Sequence, residues 1–443
     1  MISLNPGQER PTICVLALSA IADDPRVRQA DAFHRAGWNV VGVGLPGARS
    51  VAPEWRIVTA EDLPTPQVEV CSCGAMRTAW IRRPFSPKAR RLIGRLVYRL
   101  PRVLVRGRVR YALRLLAVRV RPALAQDIYW SFSENIRCVY ECAKQVTAAV
   151  WLANDWTMLP LAARLARENG GIYCYDTHEF AAEEYGDNRN WRLWRRPMVC
   201  ALEREFIGEA AVVSAVSAGI AARLGKLYPL TAASITIRNT PSFEAIAFHP
   251  TSPDRIRVLY HGIVTPGRGL EATIDSVAAW RPEFDLTIPG PGDGEYLAAL
   301  QRRIAERGLM DRIILAPPVP MTALVHEAAA YDIGFFALPG SSRHNEFALP
   351  NKFFEYIMAG LALCLTDLPE MARLVREYEL GVTFCSAEPG EIAAAINALD
   401  PASIDRYKRN ALAAARELCW ERESERLVEA YEALLDRAVP QAA

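Results

Sequence analysis

The sequence predicts an α/β chain of two doubly wound domains, and three observations carry the prediction. Its 443 residues exceed what a single hydrophobic core usually organises. Short β-rich apolar runs alternate with helix-like stretches, the pattern of parallel sheets covered by helices on both faces. The alternation then restarts after a polar, proline-bearing linker near His249 to Arg255. The economical arrangement is two doubly wound domains facing each other across a cleft, residues 1–248 and 249–403. A last helical stretch, 404–443, has no strand left to pair with and is expected to pack across the domain junction.

In the first series, PTICVLALS reads as a strand, followed by a helix around Arg26 to Ala36 and a second strand, WNVVGVGLP. After a basic segment come AAVWLAND, a helix over Leu159 to Glu168, GIYCYDTHEF, a helical region rich in Trp and Arg, AAVVSAVS and SITIRNTP. The second series runs IRVLYHG, FDLTIPGPG, RIILAPPV, DIGFFALPG, LALCLTDLP and GVTFCS, each separated by a helical stretch. The repetition has no fixed sequence period, which argues against a solenoid. A final helix is expected from about Ile404 to Arg437.

Half the residues are apolar and the net charge is only +2, so overall charge points to no polyanionic partner. The ten cysteines include no pair with the two-residue gap of a zinc knuckle or a thioredoxin-like site. With no apolar leader and no apolar run long enough to span a bilayer, the chain is expected in the cytoplasm with free thiols.

One charge feature is local. From Arg77 to Arg121 there is no acidic residue, and Arg91, Arg95, Arg99, Arg102, Arg106 and Arg110 recur at helical steps beside an apolar stripe that includes Leu92, Leu96 and Leu100. Gly94, Pro101 and Gly107 break the segment into two or three short helices. A basic amphipathic insertion over 77–126 fits an anionic leaflet, with Arg91, Arg95, Arg99 and Arg102 on headgroups. The same pattern also describes a helical insertion packed on its own domain with solvated arginines. No nucleic-acid-binding signature accompanies it.

The segment ALPNKFFEYIMAG, Ala348 to Gly360, holds the strongest chemistry. Pro350 suits a first helical position and Gly360 a stop, and the free N–H groups at the helix start favour a phosphate ligand. Lys352 and Glu355 fall on one face: the lysine can neutralise phosphate oxygens, while the glutamate can accept hydrogen bonds from sugar hydroxyls. The alternative is a capped core helix with a surface ion pair. Two further loops should reach the same sheet edge. IVTPGRG places Arg268 just before a helix start, and PGPGDG supplies Gly290, Gly292 and Gly294, which would let backbone approach a ligand. In the first domain, GIYCYD ends at His178, which could bond a sugar or be a satisfied core histidine; Arg26, Asp155 and His178 form the candidate acceptor set.

These motifs, HGIVTPGRGLEATIDSV with IPGPGDG and LPNKFFEYIMAGLALCLTD, together with AVVSAVSAGIAARL and the ending LCWERESERLVEAYEALL, resemble a family 4 glycosyltransferase of the GT-B fold. The resemblance covers nearly the whole chain except the basic region. It implies a donor site in the carboxy-terminal half and an acceptor site in the amino-terminal half. It puts Gly262, Arg268, Gly290, Gly292, Lys352 and the Leu349, Pro350 and Asn351 stretch at the donor, Glu355 on the donor ribose, and His178 near the transferred sugar. It further implies retention of anomeric configuration, no metal and no cofactor, the UDP- or GDP-sugar being a substrate.

Three departures stand out. Eight positions before Glu355, where the family's partner glutamate usually stands, is Phe347, with Glu346 one step further back; Glu346 is taken with His178, Arg268 and Lys352 as the catalytic set. Ile263 follows the glycine of HG, where an arginine is frequent, and APPV carries prolines near a usual glycine. The expected activity is transfer of a sugar to a lipid-linked or growing surface glycan, with the enzyme peripheral on the inner face of the plasma membrane and no nucleic-acid partner. The alternatives are a nonenzymatic nucleotide-sugar binder and a dinucleotide-dependent oxidoreductase, although ALSAIADDP lacks the glycine fingerprint of the latter.

Overall fold

The computed structural model describes residues 11–21, 28–47, 55–59, 61, 107–232, 234–340 and 342–438. Arg26 and the arginines Arg91, Arg95, Arg99 and Arg102 lie outside them. One compact unit comprises Met1–Tyr175 with Asn188–Ala210, and the other comprises Asp176–Asp187 with Ala211–Ala443.

The first unit opens with β1 (Thr12–Ala20), α1 (Gln29–Arg35), β2 (Asn39–Leu45) and β3 (Arg56–Val58). It continues through α2 (Gly107–Ala117), α3 (Leu124–Tyr129), α4 (Glu134–Ala143), β4 (Val150–Asn154), α5 (Leu159–Asn169) and β5 (Ile172–Asp176). The Trp- and Arg-rich stretch is a π-helical turn, Trp191–Arg195, running into α6 (Arg196–Phe206). Ile13 to Leu16 and Trp151 to Ala153 are fully buried, the near-continuous apolar run expected of strands covered on both faces.

The second unit begins with β6 (Val213–Ala215), α7 (Ala218–Leu227) and β7 (Ile235–Thr236). Then follow β8 (Ile256–Leu259), α8 (Leu270–Val277), β9 (Phe284–Pro289), α9 (Gly294–Glu306), β10 (Ile313–Ala316), α10 (Leu324–Ala328) and β11 (Ile333–Phe336). The chain closes with α11 (Arg343–Phe347), α12 (Asn351–Met358), β12 (Ala362–Thr366), α13 (Pro369–Glu377), β13 (Gly381–Phe384), α14 (Pro389–Asn397), α15 (Pro401–Ala414) and α16 (Trp420–Ala438). The two sheets have strand orders β3-β2-β1-β4-β5-β6-β7 and β10-β9-β8-β11-β12-β13. Every ladder of the second sheet is parallel. The strand order reverses direction at β8, so the loops after β8 and β11 flank the crevice where such sheets bind ligands.

Two elements differ from the sequence expectation. β3 is only Arg-Ile-Val, too short to show a period, and forms because Val41 to Val43 offer a parallel partner. The last helix is two, interrupted after Ala414 without glycine or proline. Tertiary bonds set that break: Trp420 N–H donates to Pro241 O at 2.8 Å, and buried Glu423 accepts from Arg238 N–H at 2.9 Å. Among the described residues no helix is long and apolar enough to cross a membrane.

Candidate functional site

Helix α12 is fixed from below before it offers anything to a ligand. Tyr356 is fully buried against β11 at Gly334, where an added Cβ would lie 2.4 Å from the tyrosine ring. Its hydroxyl donates to Phe335 O at 3.2 Å and accepts from His261 N–H at 3.1 Å, joining the ends of β8 and β11. Gly360 ends the helix with φ +73°, as its stop position requires. Pro350 is not the first helical residue: its ψ of 150° makes it the extended cap, and the helix begins at Asn351, whose Oδ1 accepts from Asn239 Nδ2 at 2.7 Å.

Lys352 leaves the first turn of α12 and seats its ammonium on two rings, 3.9 Å from the Tyr260 centroid and 4.1 Å from that of Phe336. Gly262, at φ +115°, gives it room; a Cβ there would stand 3.1 Å from Lys352 Nζ. Burial, then the positive charge of Arg268, pushes the Lys352 pKa down to about 7, with Glu355 partly opposing them. Arg268 also acts on the Tyr260 hydroxyl, which burial raises to about 12. Arg268 itself is half-buried and precedes Gly269, the left-handed cap of α8, where any Cβ would collide with Ala337 O at 2.0 Å. One turn along α12, Glu355 Oε2 lies 3.2 Å from His261 Nε2. Burial, then Lys352, lowers the His261 pKa to about 3, so the imidazole is neutral. Arg268, Lys352, Glu355 and Gly262 thus share one neighbourhood.

The glycines of PGPGDG have a steric reason within the protein itself. A Cβ on Gly290 would lie 1.9 Å from Gly262 O, and one on Gly292 2.7 Å from Val264 O, so both are bare to admit the neighbouring loop's backbone. Gly294 meets nothing within 4 Å and starts α9, capped by Asp293. Beside this loop opens a groove of about 580 Å³ lined by Gly290, Gly292, Leu297, Gln301, Pro317 and Pro318. Its volume suits a small organic ligand.

Before α12, short α11 is capped by Ser342 and held by Asn345 Nδ2 donating to Pro339 O at 2.7 Å. Phe347 points inward: its ring meets Phe180 at 6.0 Å, and its carbonyl accepts from Ser217 Oγ at 2.8 Å. Glu346 is half-buried and Leu349 buried. His344 Nε2 stands 3.4 Å from Glu179, so α11 touches the segment after β5 within the same unit. There His178 adopts φ +45°, uncommon for a non-glycine, with Nε2 2.9 Å from buried Asp176. Asp176 Oδ1 also accepts from Ser214 Oγ at 2.6 Å. Asp155, at the end of β4, has φ +78° and accepts from Trp156 N–H.

Sequence reasoning passed over Tyr260, His261 and Phe336. All three sit at strand ends and read as core, yet they make the seat of Lys352 and flank Glu355. The signal available was the pair Tyr260 and His261 directly before Gly262.

Two parallel-sheet α/β domains, with this cluster at the strand ends of the second, have the GT-B fold. Residues 255–400 match the family described as Glycosyl transferases group 1. The D-inositol 3-phosphate glycosyltransferase of Acidothermus cellulolyticus is 26% identical over 335 residues, 64% of this chain and 72% of that protein. Among solved structures, sucrose-phosphate synthase from Thermosynechococcus elongatus superposes with a TM-score of 0.65 at 15% identity, over 97% of this chain and 100% of that one. Anabaena HepE, solved with UDP-glucose, gives 0.62 at 14%, over 96% and 100%. Residues 255–400 thus form a group 1 glycosyltransferase domain, and the chain as a whole is similar to family 4 glycosyltransferases.

Proposed function

We propose that the protein is a retaining, metal-independent glycosyltransferase that takes a sugar from a nucleoside-diphosphate donor. The observation that carries this is the seat of Lys352 on Tyr260 and Phe336, at the start of α12, with Arg268 acting on it and Glu355 one turn away. As the glycosidic bond breaks, negative charge grows on the departing diphosphate, and preorganised cations and helix N–H groups lower the barrier most at that moment. A bound diphosphate favours the charged form of Lys352, so donor and proton enter together at neutral pH. Glu355 receives the ribose hydroxyls, and the groove at Pro317 and Pro318 takes the base. UDP is the first donor to try, since HepE was solved with UDP-glucose. His178 and Glu346 are the groups assigned to the transferred sugar, and Arg26, Asp155 and His178 those assigned to the acceptor.

Arg268→Ala and Lys352→Ala should each lower turnover by about a hundredfold or more. Near-normal sugar transfer by both variants would remove the donor-site assignment.

For the acceptor we favour a lipid-linked or growing surface glycan met at the cytoplasmic membrane face. The support is the acid-free stretch from Arg77 to Arg121. In its described part, α2 leads to Arg119 and to Val120, which is 71% exposed, and Arg119 donates to the carbonyl of Arg192 in the π turn. Replacing Arg91, Arg95, Arg99 and Arg102 by glutamine should release the protein from anionic vesicles while donor binding persists. Unchanged sedimentation with vesicles would make the stripe solvated surface. The relative named for D-inositol 3-phosphate favours a second reading, a soluble polyol phosphate acceptor, and inositol 3-phosphate belongs in the same assay.

A further inference from the structure

His261 has no part in the donor reading above, yet it is built into the site. The residue is 3% exposed, its backbone N–H is bonded to Tyr356 Oη, and its ring meets the Tyr356 ring edge-on with centroids 4.9 Å apart. These contacts hold the imidazole in place and bring Nε2 to 3.2 Å from Glu355 Oε2. Nε2 is sealed from solvent and makes no hydrogen bond among the described residues: the distance to the carboxylate is right but the direction is not. A buried polar atom without a partner is unusual and calls for a reason.

We propose that His261 is a positioning residue for Glu355, completing an Nε2–H to carboxylate bond when the donor ribose turns that carboxylate, and so setting the preference for a ribose with free hydroxyls. The inference rests on the reading of Glu355 as the ribose ligand. The neutral state of His261 fits the task, because an imidazole without charge can orient Glu355 while leaving its negative charge for the incoming hydroxyls. Other charged groups in the neighbourhood, Lys352 and Arg268, serve the diphosphate end. Nothing cationic is needed at the ribose.

The test is calorimetric binding of UDP against 2′-deoxy-UDP and 3′-deoxy-UDP to the full chain, with GDP and its deoxy forms if UDP does not bind. The wild type should prefer the ribonucleotide by about tenfold or more, the effect of one charge-assisted hydrogen bond. Both His261→Ala and Glu355→Ala should erase most of that preference while leaving affinity for the deoxy forms nearly unchanged, and the double variant should resemble Glu355→Ala. His261→Gln, which places an amide N–H near the position of Nε2, should keep it; His261→Asn, too short to reach, should not, and supplies the loss arm should His261→Ala fail to fold. A purely structural role would weaken all the nucleotides alike. Retention of the preference by His261→Ala or His261→Asn, with its loss in Glu355→Ala, overturns the role of His261. Retention by Glu355→Ala overturns the ribose assignment itself, and failure of the wild type to bind either nucleotide overturns the donor reading.

Discussion

The loops after β8 and β9 and the loop after β11 belong to the same sheet edge but are held by different means. The first two meet backbone to backbone, Gly290 against Gly262 and Gly292 against Val264, with no space for a side chain on either glycine. The loop through α11 is instead held by side chains, with Ser217 on Phe347 O, Phe180 on the Phe347 ring and Asn345 on Pro339 O. Steric fit of backbone is all-or-none, whereas side-chain bonds can be removed one at a time. The diphosphate end is therefore expected to be rigid and intolerant, and the end that precedes α12 graded in its responses.

The sharpest way to break this contrast is Gly290→Ala, whose new methyl would lie 1.9 Å from a carbonyl oxygen. Overpacking of this kind typically costs about 1–3 kcal/mol or more, so a clear fall in melting temperature together with lost donor binding is expected. Wild-type melting and binding would mean the two loops slide freely. Next in size is the effect of Lys352→Met on stability. The Lys352 pKa is about 7 when folded, against an ordinary 10.5. Below pH 7 both folded and unfolded chains carry the proton, and the buried charge opposes folding in full. Between pH 7 and 10.5 the folded chain releases a proton that the unfolded chain keeps, and stability rises with pH. The methionine variant should thus melt higher than the wild type at pH 6, with the gain shrinking as pH rises; a constant difference across pH would contradict the desolvated seat. The smallest effect is expected from Ser217→Ala, which removes the cap of α7 and the bond to Phe347 O at a cost of about 1–2 kcal/mol, with donor affinity unchanged.

The alternation of apolar strands and helices was legible because parallel strands buried on both faces leave an unbroken apolar trace, as in Ala362–Thr366. Lys352, Glu355 and Arg268 were legible because charges at a helix start stand out against apolar neighbours. Tyr260, His261 and Phe336 were not, since an aromatic at a strand end has the same sequence appearance whether it fills a core or seats a cation. The glycines of PGPGDG were recognised as close-approach positions, but what approaches them is 20 to 30 residues upstream and invisible to local pattern. The break between α15 and α16 had no local signal either, because it is set by Pro241 and Arg238.

That break also decides how the carboxy terminus can be handled. Glu421 and Glu423 at the start of α16 accept the backbone N–H groups of Phe243 and Arg238, and Trp420 occupies the carbonyl of Pro241. A shortened chain ending before Trp420 would strip three main-chain partners from a segment nearly two hundred positions earlier. Trimming there alters the interior, whereas a fusion or affinity tag placed beyond α16 leaves that strap intact.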